Sequence, residues 1–139
     1  MYFADLAIDP LPQSFRHEQA ALEQAGIQRW GQLRQLDESA VTRLCSSWPY
    51  ASQRNLRRLR GMAGLVCDVA LAPADAALLM YSGIATVRAL ATATPEQLVR
   101  NTGKLKRQLG VRVYQGSHIV SLAQARRWIQ KAQEEQSLC

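Results

Sequence analysis

The chain has 139 residues, of which 47% are hydrophobic, and its 17 basic and 11 acidic residues give a formal net charge of +6. A chain of this length buries roughly two-thirds of the surface that its unfolded form exposes, so it can fold as one domain or as two small lobes sharing a core. No apolar run approaches the ~18 residues that a membrane helix needs, and we expect no membrane-spanning segment.

The N-terminal part predicts an irregular lead-in followed by short helices. Two prolines disfavour a helix in residues 1–13. A helix is expected from Ser14, as its N-cap, to Ala25, and Gly26 is expected to end it in the left-handed conformation. Trp30, Leu33 and Leu36 are spaced as in a helix and predict a short helix after Gly26. Asp37 is then expected to cap the next short helix.

The middle of the chain predicts a basic helix over residues 51–60. The segment Gly61-Met62-Ala63-Gly64 is interpreted as a tight link, and residues 65–71 as a further short helix. Pro73 is typical of the first position of a helix, which we expect to run to Tyr81 and to end at Gly83.

The C-terminal part carries two clear helix starts. Thr94-Pro95-Glu96-Gln97 combines a hydroxyl cap, a proline at the first helical position and a glutamine at the third. Residues 110–119 are expected to be irregular. Ser121 then caps a last amphipathic helix, whose expected inward positions are Leu122, Ala125, Trp128 and Ile129.

One order of elements occurs twice in the chain: a helix, a Gly-Ile corner, a short helix and a capping residue that starts another helix. Ala25-Gly26-Ile27 returns as Ser82-Gly83-Ile84, 57 residues later, and the capping residues Asp37 and Thr94 follow at the same distance. An internal repeat determines the architecture more strongly than any single segment does. We therefore expect two related helical units.

No segment alternates convincingly as a β-strand, and the only candidate, Val111–Tyr114, is too short. The fold class predicted is all-α. Its parts are a lead-in over residues 1–13, a first helical repeat over 14–71 and a second over 72–139, with both repeats sharing one core.

Basic residues concentrate in two windows that contain no acid. Residues 39–67 hold five of them and residues 97–133 hold eight. Four arginines of the first window lie on one predicted helix without an acid three or four positions away, which favours a surface for a polyanion over an ordinary solvated face. The candidate nucleic-acid-binding cations are Arg54, Arg57, Arg58, Arg60, Lys104, Lys106, Arg107 and Arg112.

Aromatic residues give a second hypothesis. Trp30 and Trp128 lie at inward helical positions and are expected in the core. Trp48 and Tyr50 lie in a Ser-Ser-Trp-Pro-Tyr loop and are candidate anchors for a protein partner. The alternative function is therefore an adaptor that docks an acidic protein surface.

Nothing in the sequence predicts catalysis. His17 and His118 lack partners at metal-ligand spacing, and the serines occur at caps and turns instead of in a nucleophile–base set. We expect no catalytic residue, no metal, no cofactor and no small-molecule substrate. The cysteines are odd in number and lack metal-ligand spacing, which is typical of free thiols in the cytoplasm; they are Cys45, Cys67 and Cys139.

Three segments carry a resemblance to known families. Residues 59–65 resemble the hairpin pattern of helix-hairpin-helix domains, which is apolar, any, Gly, apolar, Gly. Residues 77–90 resemble the helical module shared with the C-terminal domain of the RNA polymerase alpha subunit. Residues 76–109, with the closing residues 128–132, are similar to a cyanobacterial helix-hairpin-helix family of unknown function.

The resemblance implies two tandem helix-hairpin-helix (SAM-domain-like) repeats, packed as a pseudo-twofold pair that binds duplex DNA or RNA without sequence preference. In such hairpins the glycines let backbone N–H groups approach a phosphate, so Gly61, Gly64 and Gly103 join the candidate residues. If six cations from both windows form one patch, binding to duplex DNA should fall with salt at a log–log slope of about −5.

Overall fold

The computed structural model describes residues 3–8, 11–109 and 120–137. In these residues no β-strand occurs, and a single antiparallel bridge joins Ala7 to Arg29. The prediction of an all-α fold is confirmed. The helices are α1 (Arg16–Gln24), α2 (Trp30–Arg34), α3 (Glu38–Ser47), α4 (Gln53–Asp68), α5 (Pro73–Tyr81), α6 (Val87–Thr92), α7 (Pro95–Leu109) and α8 (Leu122–Ser137).

The first helix of each half ends at the predicted glycine. Gly26 has φ +77° and Gly83 has φ +95°, values that L-residues rarely adopt. After each glycine, the isoleucine N–H donates back to a leucine carbonyl of the preceding helix, at 2.9 Å from Ile27 and 2.8 Å from Ile84. The two corners therefore have the same backbone conformation. Their side chains differ in burial, because Ile84 is buried and Ile27 is only half-buried.

Most of the predicted caps are confirmed. Asp37 accepts a hydrogen bond from the N–H of Ala40 at 2.7 Å, and Thr94 and Ser121 accept theirs at 3.2 and 3.1 Å. Ser14 was expected to cap α1, but its hydroxyl lies 3.3 Å from that of Tyr81, and a short 3-10 turn precedes the helix instead.

The inward positions of α8 were predicted correctly except for one. Ala125 and Ile129 are buried, and Trp128 is partly buried against the core. Leu122 was expected to point inward and is instead 42% exposed, at the first position of the helix, where no described element covers it. The apolar face of α8 therefore begins one turn later than the sequence predicted.

Packing contacts repeat along with the order of helices. In the first half α1 contacts α3, while α2 and α3 both contact α4; in the second half α5 contacts α7, while α6 and α7 both contact α8. Helix α4 also contacts α5 and α6, so it joins the two sets. The buried apolar side chains of both halves form one cluster that extends along the chain from Phe15 to Ala132.

The tight link predicted at residues 61–64 is wrong. These residues lie inside α4, which continues without a break to Asp68. Glycine weakens a helix interior by about 1 kcal/mol, but α4 buries a long apolar face that outweighs this cost. Gly61 has a packing role, because a Cβ there would lie 2.0 Å from the carbonyl oxygen of Ala85. The glycine lets α4 approach the second corner.

The lead-in is more ordered than expected. Phe3–Asp5 forms a 3-10 turn, and this turn contacts α2 and α4. The N–H of Ile8 donates to the carbonyl of Gln28 at 2.8 Å, and the N–H of Trp30 donates to that of Leu6 at 3.1 Å. The irregular segment and the strand candidate predicted within residues 110–119 lie outside the described residues.

Among the described helices, none combines the length and the apolar character needed to cross a membrane.

Candidate nucleic-acid interface

Two of the four α4 arginines form ion pairs with an acid from α3. Glu38 accepts from Arg57 at 3.0 Å and from Arg60 at 2.8 Å, and Arg60 also donates to the carbonyl of Leu36 at 3.1 Å. The hydrogen bond from Arg60, followed by that from Arg57, holds the pKa of the Glu38 carboxyl below its ordinary value. Arg57 and Arg60 therefore have an acidic partner that the sequence did not indicate, because Glu38 lies just outside the acid-free window and reaches them through tertiary packing. That they bind nucleic acid stays a prediction.

The other two arginines lie on a different face of α4. The Arg58 guanidinium lies over the rings of Phe15 and Tyr81, with Cζ 5.3 and 5.8 Å from their centroids. Arg54 is exposed and precedes Arg58 by one helical turn. Within the described part of the chain neither arginine has an acidic partner, so both remain available to an anion.

A third candidate cation, Lys104, lies on α7 in the second half of the chain. It is exposed and, within the residues that the structure describes, has no acidic partner. It lines a shallow concavity of about 310 Å³ between the C-terminal end of α5 and helix α7. We call this concavity groove 2, because an equivalent groove 1 in the first half is described below, and its lining residues are Tyr81, Ser82, Asn101, Lys104 and Leu105. Tyr81 lies under Arg58 of the first predicted window and lines the same concavity as Lys104 of the second. We call Arg54, Arg58 and Lys104 the cationic strip.

The three candidate glycines do not form phosphate cradles. Gly61 and Gly64 lie within α4, and Gly103 lies within α7. The N–H groups in a helix interior donate to carbonyls four residues earlier, so they are not available to a phosphate. The hairpin role predicted for these glycines is wrong.

Three further candidate cations have no described side chain. Lys106 and Arg107 belong to α7, but their side chains lie outside the described part of the structure. Arg112 lies entirely outside it. Their part in the predicted patch stays a prediction.

A buried carboxylate positions the N-terminus of α4. Glu18 of α1 is 2% exposed. Its carboxylate oxygens accept hydrogen bonds from the backbone N–H of Ser52 at 2.8 Å and from the side-chain amide of Asn55 at 3.4 Å. These two donors lie in the capping turn of α4, where a carboxylate is favoured by the helix dipole. Glu18 therefore fixes α4 against α1, and with it the direction in which Arg54 and Arg58 point. The sequence did not indicate this contact.

Of the two predicted anchors, Trp48 lines a second concavity, between α1 and α3, and Tyr50 is not among its lining residues. Tyr50 is 75% exposed, and its ring is 5.4 Å from that of His17. Trp48 is half-buried, and its buried indole Nε1 has no hydrogen-bond acceptor among the residues that the structure describes. Two adjoining concavities of about 320 Å³ each form what we call groove 1: Ala21, Gln24, Ala25, Ile27, Leu36, Ala40, Arg43, Leu44, Ser47 and Trp48.

The two grooves occupy equivalent places in the repeat. The two halves of the repeat are 57 residues apart. When 57 is added to the residue numbers of five residues that line groove 1, the result is the five residues that line groove 2. The correspondence runs from Gln24, Ala25, Leu44, Ser47 and Trp48 to Tyr81, Ser82, Asn101, Lys104 and Leu105. The repeat was visible in the sequence, but the grooves were missed because only helix packing shows which positions line a concavity.

The remaining reactive groups form no recognisable site. In the described ranges no cluster of histidine, cysteine and acidic residues has the arrangement of a metal site. Burial raises the pKa of the Cys45 and Cys67 thiols, which makes them poor nucleophiles near neutral pH. Cys139 and His118 lie outside the described residues.

Comparison with known proteins finds one match. The sequence profile of a protein family described as a domain of unknown function (DUF4332) matches residues 12–135, which is most of the chain. No curated protein and no solved structure matches the chain.

Proposed function

Since the chain belongs to the DUF4332 family, whose function is unknown, we propose a function from the surface itself: the protein binds nucleic acid without sequence preference through the cationic strip. The observation that supports this proposal is the position of Tyr81, which lies under Arg58 and lines the same concavity as Lys104, with no acidic partner for either cation within the described residues. Elsewhere on the same helix, Arg57 and Arg60 share one carboxylate.

The chemistry of the strip suits phosphate groups. A guanidinium presents a planar fork of donors that matches a phosphate, and a lysine adds a mobile point charge. Arg58 is restrained by the two aromatic rings beneath it, so less side-chain entropy is lost when it binds. Contacts of this kind fix a nucleic acid through its backbone and carry no sequence information.

Replacing Arg54 by glutamine should weaken binding to all duplexes alike. With three cations the log–log slope of the association constant against salt should be about −3, at −0.9 per phosphate, and Arg54→Gln should make it shallower by about 1. Arg57→Gln is the matched control, because it removes the same charge from the same helix but from an arginine already paired with Glu38. Fluorescence anisotropy with labelled duplex DNA at several salt concentrations measures both slopes. Equal losses in the two variants would contradict the assignment to the strip.

We also propose that the two helix sets are tandem units of the helix-hairpin-helix (SAM-domain-like) type. The matching glycine corners, the equivalent caps and the repeated packing pairs support a common ancestral unit. In this proposal the phosphate contacts come from side chains of α4 and α7. The backbone of residues 61–64 does not take part, because its N–H groups are used within α4.

Groove 1 supports a second candidate function, an adaptor that binds an acidic segment of a partner protein. Its lining is largely apolar, whereas Arg43 on its edge is exposed and has no acidic partner among the described residues. An apolar segment carrying a carboxylate would cover the groove and pair with Arg43.

Trp48→Ala should then abolish binding to one protein partner and leave DNA binding unchanged. A pull-down from nuclease-treated native lysate, with the wild type and Arg54→Gln as controls, measures this. The adaptor function predicts a partner retained by both controls, lost by Trp48→Ala and weakened by Arg43→Gln. A protein retained equally by all four chains would argue against groove 1 as the docking site.

A further inference from the structure

Groove 2 has the same place in the fold as groove 1 but different chemistry. Where groove 1 has Leu44 and Ser47, groove 2 has Asn101 and Lys104. The first half of the molecule folds with the leucine and the serine at these places, so helix packing does not require an amide and an ammonium group there. The polar pair in groove 2 therefore needs an explanation other than stability.

We propose that groove 2 binds one unpaired nucleotide of a single-stranded nucleic acid. This inference rests on the proposed function and names its substrate class. Lys104 binds the phosphate of that nucleotide, and Asn101 offers an amide donor and an amide acceptor to the base edge. Tyr81 and Leu105 supply an aromatic and an apolar surface for the base.

The lining of this shallow groove suits a single nucleotide. Its five lining residues combine an aromatic ring, an amide and an ammonium group, which match a base face, a base edge and a phosphate. In a duplex, the faces of each base are stacked and its Watson–Crick edge is paired. In a single strand both are free, and single-strand-binding proteins use aromatic rings and polar side chains to contact them.

The rest of the cationic strip continues the path of the strand. The Arg58 guanidinium lies 5.8 Å from the centroid of the Tyr81 ring, which borders the groove. Arg54 follows one helical turn farther along α4. The phosphates that flank the bound nucleotide are therefore expected at Arg58 and Arg54, outside the groove.

The test compares a labelled single-stranded DNA of about 12 nucleotides, within the site sizes of such proteins, with the duplex of the same sequence. At about 50 mM salt, the wild type should bind the single strand about tenfold more tightly, the effect expected when one base stacks in a protein site. The double variant Asn101→Leu with Lys104→Ser carries the groove 1 residues at both places. It should bind the two probes equally, to within about twofold, because Asn101 and Lys104 no longer hold the nucleotide in place for its base to stack on the Tyr81 ring.

Matched controls separate the groove from general charge and from folding. Arg88→Ser removes one exposed cation from α6 and should retain the preference for the single strand. Lys104→Ser alone replaces an exposed side chain and should lose part of the preference even if the double variant is poorly folded. Thermal melts followed by circular dichroism identify any variant with altered stability.

The outcomes distinguish this inference from the proposed function. Equal binding of both probes by the wild type, or an unchanged preference in the folded variants, would overturn the nucleotide site while nucleic-acid binding itself stands. If neither probe binds at low salt, the proposed function is wrong and groove 2 loses its ligand with it.

Discussion

Replacing Gly61 by alanine should destabilise the protein by about 1–3 kcal/mol, the usual cost of forcing extra atoms into a packed interior. The added Cβ would lie 2.0 Å from the backbone oxygen of Ala85. No rotamer change relieves a contact with a backbone atom, so α4 has to move away from the second corner. The same replacement at Gly64 should have the opposite effect. There the Cβ would lie 3.6 Å from the Val87 side chain, an ordinary contact, and alanine favours a helix interior over glycine by about 0.5–1 kcal/mol.

Chemical denaturation of Gly61→Ala and Gly64→Ala measures both changes. The pair is well matched, because both glycines lie in α4 one turn apart and receive the same methyl group. A hairpin at residues 61–64 would require both glycines for its turn, so both variants would then be destabilised. A loss of stability at Gly64 comparable to that at Gly61 would contradict the continuous helix.

Residues 72–139 expressed alone should not show a cooperative melt. This fragment lacks α4, which contacts α5 and α6 and contributes Leu59, Met62 and Leu65 to the common core. The fragment is about half of the chain, a size at which the buried surface barely supports folding. Its apolar residues would be left uncovered, and we expect a partly helical, aggregation-prone state.

Circular dichroism during thermal unfolding, with dye binding to exposed apolar surface, measures this loss. A longer fragment that begins at Ser52 keeps α4 with its capping residue and should regain helicity and part of the cooperativity. A sharp transition of residues 72–139 near the melting temperature of the full chain would show that each half has a core of its own, contrary to the single cluster.

Two of the failed predictions concern α4. Local rules predicted a break at residues 61–64, because glycine is a poor helix former and the segment matches a hairpin pattern. The structure has a helix there because α4 is packed along its length by α2, α3, α5 and α6. The ion pairs of α4 were missed for a related reason. Acids within four positions were the only partners that the sequence indicated, whereas Glu38 lies 19 and 22 residues before its partners.

The successful predictions concern features that depend on neighbouring residues. Gly26 and Gly83 were assigned to left-handed corners, and Asp37 and Thr94 to helix caps, because each needs partners only within about four positions. Because the glycine corner and the helix cap both occur in each half of the sequence, they were enough to indicate an all-α fold with an internal repeat.

The sequence by itself determined the glycine corner of each half and the helix starts capped by Asp37, Thr94 and Ser121, since capping and turning are decided by backbone groups a few residues apart. Only the tertiary structure decided which cations are neutralised, and which side chains line groove 1 and groove 2. Arg57 and Arg58 are adjacent in the chain, yet one pairs with Glu38 and the other lies over Phe15 and Tyr81. A helix turns its successive side chains by about 100°, so neighbours in sequence contact different elements, and those elements are brought together by burial of the shared core.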